Sequence, residues 1–184
     1  MRAFVYLCIT NLNNIIMKVE LKKIKIYDKL SDETTAFYGE IFINGKNCGY
    51  AENEGRGGPT DYYAYPGFKE EIEEAELYFK SLPEIVYPKD DYPELSIECN
   101  FENWIDLQVY NNQKEIENKK LIKLCEKNIC YKCYGGYKMI GWKNFKIEEM
   151  LKTPNGIKAI QNIINDLKSK GEIILNTNLT GINL

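Results

Sequence analysis

The chain of 184 residues contains no histidine. That absence excludes the Ser-His-Asp and Cys-His arrangements, zinc sites that need imidazole, and the usual general base near neutral pH. The remaining candidates for catalysis are carboxylates, lysine, tyrosine and cysteine, most of which need a shifted pKa to act. A non-enzymatic role is the reading this favours. The chain also lacks a G-x-x-x-x-G-K-[ST] phosphate loop, a second C-x2-C pair, an internal repeat and any low-complexity segment. The opening apolar run in MRAFVYLCITNLNNIIM is interrupted by Thr10, Asn11, Asn13 and Asn14. It is too short to span a bilayer and has no small-residue cleavage pattern, so no membrane partner is expected. Residues 1–16 read as an extension, because Met17 in MKVELKKIKIY is a second candidate start.

The composition is that of a folded soluble domain, 44% hydrophobic and 28% charged, long enough to bury a core without disulfides or metal. Residues 17–184 are expected to form a single α+β domain. The six cysteines, Cys8, Cys48, Cys99, Cys125, Cys130 and Cys133, are expected as reduced thiols of a cytoplasmic protein. The net charge of −3 is unevenly spread. Lys69 to Glu102 holds eleven acidic residues against three lysines, and Lys114 to Lys146 holds nine lysines against three glutamates. Solvated faces account for such runs, and so does a surface that meets a partner of opposite charge.

Val19, Leu21, Ile24 and Ile26 predict a strand whose alternation slips near Lys22–Lys23. TAFYGEIFI alternates cleanly, Asn44–Gly45 is the preferred pair for a two-residue type I′ turn, and KNCGYAEN returns, which predicts an antiparallel three-stranded meander. Phe68, Ile72, Ala75, Phe79 and Leu82 form the stripe of an amphipathic helix ended by Pro83. Pro88 and Pro93 mark the loop after it. Asn100 is placed to cap a second helix from FENWIDLQVY, which the Asn111–Asn112 pair is expected to break. NICYKCYGGYKMIGWK predicts a hairpin turned at Gly135–Gly136. Thr153, Pro154 and Gly171 punctuate a last helix with Ile157, Ile160, Ile164 and Leu167 on its apolar stripe, and EIILNTNL supplies a closing strand.

Three stretches carry candidate chemistry. In NEGRGGPTDYYAY, the glycines Gly55, Gly57 and Gly58 are suited to converging N–H groups on an anion, Arg56 adds a charged donor, and Tyr62, Tyr63 and Tyr65 are available to stack on a base. That is one reading, a nucleotide-binding site; a structural turn at the end of a strand is the other. Lys132, Tyr134, Tyr137, Lys138, Trp142 and Lys143 interleave aromatics with lysines, which suits a nucleic-acid or protein contact and equally suits an exposed strand edge. Cys125, Cys130 and Cys133 are spaced C-x4-C-x2-C, a possible zinc half-site. In a strand, however, Cys130 and Cys133 point to opposite faces. Buried thiols are the competing reading, and no cofactor is assigned.

The segments LSDETTAF, INGK, NEGRGG followed by TDYYAY, and the terminal ILNTNL resemble a group of small, uncharacterised accessory proteins of bacteriophages and prophages. The similarity is most specific over Met17 to Tyr65 and carries no catalytic residue. It implies an accessory protein acting in a host bacterial cytoplasm, with a host protein or ribonucleoprotein as partner. The expected function is inhibition of a host defence system, anti-CRISPR-like, by binding. The alternatives are a nucleotide sponge and a small metal- or cysteine-dependent hydrolase.

Overall fold

A computed structural model of the chain describes residues 17–87, 95–133 and 136–183. Residues 1–16, Pro88, Pro93, Tyr134 and Gly135 lie outside these described residues. The fold is α+β, and the expected single domain resolves into two compact units that divide between Asn112 and Gln113.

In the N-terminal unit, β1 (Val19–Ile26), β2 (Phe37–Ile43), β3 (Lys46–Asn53) and β4 (Asp61–Ala64) form an antiparallel sheet in sequential order. The expected meander therefore gains a fourth strand, taken from the end of the glycine-rich stretch. Its register pairs Tyr50 with Tyr63 and Glu52 with Asp61. The predicted slip in β1 is present: pairing with β2 shifts between Lys22 and Lys25, and Lys23 sits at φ 52°. Asn44 (φ 50°) and Gly45 (φ 84°) both adopt positive φ, as a type I′ turn requires.

One face of this sheet is the core face. Phe37, Ile41 and Ile43 of β2 are buried there. Against them pack α1 (Lys69–Lys80), through Ile72, Ala75 and Phe79, and the first turns of α2 (Phe101–Cys125), through Phe101, Ile105 and Val109. Residues four apart on a helix share one face, so α2 lays a single stripe on the sheet. Phe79 stacks on Phe101 at 5.4 Å and on Trp104 at 4.8 Å, joining the two helices. The short β5 (Ile85–Val86) pairs with β6 (Ser96–Ile97). As expected, Asn100 caps α2, its Oδ1 accepting the Asn103 N–H at 2.8 Å. The Asn111–Asn112 pair does not break the helix, which is 25 residues long and ends at Cys125. Asparagine costs only about half a kcal/mol in a helix interior, and the Gln, Lys, Glu and Leu residues that follow are good helix formers.

The C-terminal unit holds β7 (Asn128–Cys133), β8 (Gly136–Gly141), α3 (Ile147–Met150), α4 (Pro154–Ser169) and β9 (Ile173–Ile174), with strand order β8-β7-β9. The hairpin forms, but Gly136, expected in its turn, is the first residue of β8 and lies opposite Cys133. Thr153 caps α4, accepting the Gly156 N–H at 3.1 Å, and Pro154 follows it. At the far end the Gly171 N–H donates to Lys168 at 2.9 Å and the Glu172 N–H to Leu167 at 3.0 Å, the two bonds of a Schellman motif. Ile160, Ile164 and Leu167 are buried with Ile129 and Ile147, whereas Ile157 is exposed. The closing strand is only two residues long; the Leu175 N–H still donates to the Cys130 carbonyl at 2.8 Å, and from Asn176 on the bonds run through side chains. Asn176 Oδ1 accepts the Cys130 N–H at 2.6 Å, and Asn176 Nδ2 donates to the Asn128 carbonyl at 2.9 Å. Among the described residues no helix is long and apolar enough to cross a membrane.

Candidate interaction surface

The glycine-rich stretch is organised by Asn53. Its Oδ1 accepts the Gly55 N–H at 2.8 Å and the Thr34 hydroxyl at 2.8 Å, while its Nδ2 donates to the carbonyls of Gly58 at 3.1 Å and Pro59 at 3.2 Å. The Gly57 N–H donates to Thr34 Oγ1 at 3.2 Å. The Gly55 carbonyl accepts the N–H groups of Asp32 at 2.9 Å and Glu33 at 3.2 Å. The Gly55 and Gly57 donors are thus engaged inside the loop, and the Glu33 carboxylate lies against Gly57. Arg56 is exposed and stands 3.8 Å from Glu54. A phosphate here would meet a carboxylate in place of converging free donors.

The three tyrosines that follow do not act together. Strand alternation turns Tyr62 to the core face, where its ring meets Phe101 edge-on at 5.0 Å and its hydroxyl donates to Glu76 at 2.9 Å. Burial, with Glu76 beside it, pushes the Tyr62 phenol up to about 12. Beside Tyr62, the Thr60 N–H donates to Glu102 at 3.0 Å and its hydroxyl to Asp106 at 2.6 Å. Burial raises the Asp106 carboxyl above its ordinary value; the Thr60 bond opposes this and Glu102 adds to it. This cluster ties the start of β4 to α2 on the core side.

Tyr63 and Tyr65 emerge on the opposite face of the sheet, where they join two tyrosines that the sequence did not group with them. Tyr50 lies 5.6 Å from Tyr38, 5.1 Å from Tyr63 and 5.9 Å from Tyr65, centroid to centroid. The neighbouring Tyr65 hydroxyl, with burial, pushes the Tyr38 phenol up to about 12. The signal was present in the pattern. Tyr38 is an out-facing residue of β2, and the Asn44–Gly45 turn brings β3 back beside it.

Charge on this face is graded across the strands. On the β1 side Lys22 pairs with Glu20 at 3.0 Å and rests over the Phe42 ring, and Lys23 pairs with Glu40 at 2.9 Å. On the β3–β4 side Glu52 stands directly opposite Asp61. Among the described residues neither has a lysine or arginine within 4.0 Å. Asp61 above all, with burial, Glu52 and Glu54 contributing, holds the Tyr63 phenol above its usual value.

The other candidate residues are dispersed. Lys132 and Tyr137 are opposite one another on one face of the hairpin and both exposed, whereas Lys138 pairs with Tyr131 on the other face. Trp142 bridges to Phe145 beyond β8 and packs on the core of its unit, with Lys143 in the turn between them; Tyr134 is outside the described residues. Cys125 and Cys130 are buried, and burial together with the neighbouring Cys130 thiol pushes the Cys125 thiol up to about 12. Cys133 is half-buried at the end of β7. No group of three or more acidic, histidine or cysteine side chains is gathered as a metal set among the described residues.

The tyrosine-lined sheet face, with its unpaired carboxylates, is the surface this geometry singles out. Comparison with family models, with curated proteins and with solved structures returns no match to this chain.

Proposed function

We propose that the chain is a non-enzymatic binding protein, an accessory protein of a bacteriophage or other mobile element that inhibits a host defence system by occupying a host macromolecule. The observation that supports this reading is the cluster of Tyr38, Tyr50, Tyr63 and Tyr65 on the sheet face opposite the one that packs on α1 and α2. Tyrosines bring large contact area at low conformational cost and are enriched where protein surfaces meet. The missing imidazole supports binding over turnover. The phage context rests on the resemblance over Met17 to Tyr65.

The test is co-purification of the tagged chain from a host bacterium, paired with phage plating on cells armed with the defence system. A stoichiometric partner and restored plating are expected, and both are lost in Tyr63→Ala with Tyr50→Ala. Recovery of the chain alone, with no effect on plating, overturns the proposal.

A further inference from the structure

We propose that the tyrosine face takes an extended, arginine-rich segment of a partner protein, with guanidinium groups stacked on Tyr50, Tyr63 and Tyr65 and forked onto Glu52 and Asp61. This rests on the binding-protein reading and names the chemistry of its partner.

Two carboxylates directly opposite on neighbouring antiparallel strands repel one another. Glu52 and Asp61 hold this position, and the row they belong to runs Lys25, Tyr38, Glu52, Asp61 across the four strands. Lys25 is two strands from Glu52, roughly 10 Å in backbone spacing, close to the screening length at physiological salt. The cation that relieves this repulsion is therefore missing from the sheet itself. The neighbouring row runs Lys22, Glu40, Tyr50, Tyr63, and its basic end is already neutralised: Lys22 by Glu20 and Lys23 by Glu40, which also accepts from Asn47 at 3.0 Å. What remains open is the half of the face where tyrosine rings adjoin carboxylates.

Arginine fits that half better than other groups. Its guanidinium is planar and weakly hydrated, stacks on aromatic rings, and forks bidentately onto carboxylates. Lysine makes the ion pair and lacks the planar stack. A nucleic acid would use the rings for its bases but bring its phosphates against a unit of net charge −9, twenty acidic residues against eleven basic. A purely apolar surface would strip water from Glu52 and Asp61 with nothing in return. The spacing also matches an extended occupant. Asp61, Tyr63 and Tyr65 succeed one another at every second residue, about 6.7 Å apart, which is the side-chain repeat of an extended peptide.

The experiment titrates the intact chain with a fluorescent peptide carrying arginine at alternate positions. The same peptide with lysine, and single-stranded oligouridylate, serve as comparison probes at two salt concentrations. The arginine peptide is expected to bind about threefold to tenfold tighter than the lysine peptide. Tyr63→Ala should lower its affinity by a similar factor while Tyr63→Phe retains it, and Glu52→Gln with Asp61→Asn should both weaken binding and flatten its salt dependence. Tyr63 is 45% exposed, so its substitution leaves the core intact, which the thermal midpoint of each variant checks. Equal binding of both peptides with no effect of Tyr63→Ala overturns the proposal, as does binding of oligouridylate instead of peptide. If a host protein is captured through Tyr50 and Tyr63 yet no arginine peptide binds, the arginine assignment fails and the binding-protein reading stands. If neither occurs, both fail.

Discussion

Asn176 and Cys130 are 46 residues apart in the chain and joined by one short bond, the Cys130 N–H donating to the Asn176 side-chain oxygen at 2.6 Å. The same amide donates to the Asn128 carbonyl at 2.9 Å, to the Cys125 carbonyl at 3.2 Å and to Asn178 at 3.0 Å. One buried side chain thus satisfies backbone groups at the end of α2 and along β7. Asn176→Ala removes the acceptor of the Cys130 N–H and the side-chain donor to the Asn128 carbonyl, while the Cys125 carbonyl keeps Asn178 Nδ2 at 2.9 Å, and should cost roughly 2–4 kcal/mol. Loss of amide exchange protection in β7, measured by hydrogen exchange, is the expected sign. Unchanged protection would show that the clamp contributes nothing.

Asp106 gives a dependence on pH. Its carboxyl is held above the ordinary value, chiefly by burial. A raised folded-state value means that the folded chain binds the proton more tightly than the unfolded chain. This contribution to stability is therefore full below the unfolded pKa and is lost as pH rises through the folded one. Asp106→Asn keeps an acceptor for the Thr60 hydroxyl without the charge. The variant should gain stability relative to wild type as pH is raised from about 3.5 to 7, read as the difference between their thermal midpoints at each pH. A constant difference across that range would count against the assignment.

Gly55 is held at φ 84°, with the Leu30 carbonyl and the Ala36 side chain where a Cβ would stand. Gly55→Ala meets both backbone strain and collision, and should destabilise the N-terminal unit by about 1–3 kcal/mol. A lowered urea midpoint with unchanged slope is the expected result.

The thiols differ in reactivity for a physical reason. Burial raises the Cys48 and Cys99 thiols above their ordinary value and, with Cys130 beside it, pushes the Cys125 thiol up to about 12. The thiolate is the reactive form. Among the described residues, iodoacetamide at pH 8 should modify half-buried Cys133 first and the four buried thiols only on unfolding. Peptide mass spectrometry of the native protein checks this, and early labelling of Cys125 or Cys130 would contradict the packing described.

Much of the local architecture was legible in the residues. The bulge at Lys23, the Asn44–Gly45 turn and the Thr153 and Gly171 ends of α4 each depend on φ preferences or on bonds within a few positions. The candidate surface was only half legible. Tyr63 and Tyr65 belong to it, but Tyr62 between them faces the core, and Tyr38 and Tyr50 arrive from strands far away in the chain. The glycines next to those tyrosines suggested a cradle. Which N–H groups were available depended on Asn53 and on Thr34, a loop 19 residues earlier.

By itself, then, the sequence determined most of the helices and strands, the Asn44–Gly45 turn and the ends of α4, the exclusion of imidazole chemistry and the uneven charge, because these follow from residue type and near-neighbour spacing. The tertiary structure alone decided the fourth strand, the face on which each tyrosine lies and the meeting of Glu52 with Asp61. Those depend on long-range register. A strand has period two, so a shift of one residue exchanges its buried and exposed faces, and only packing against α1 and α2 selects between them.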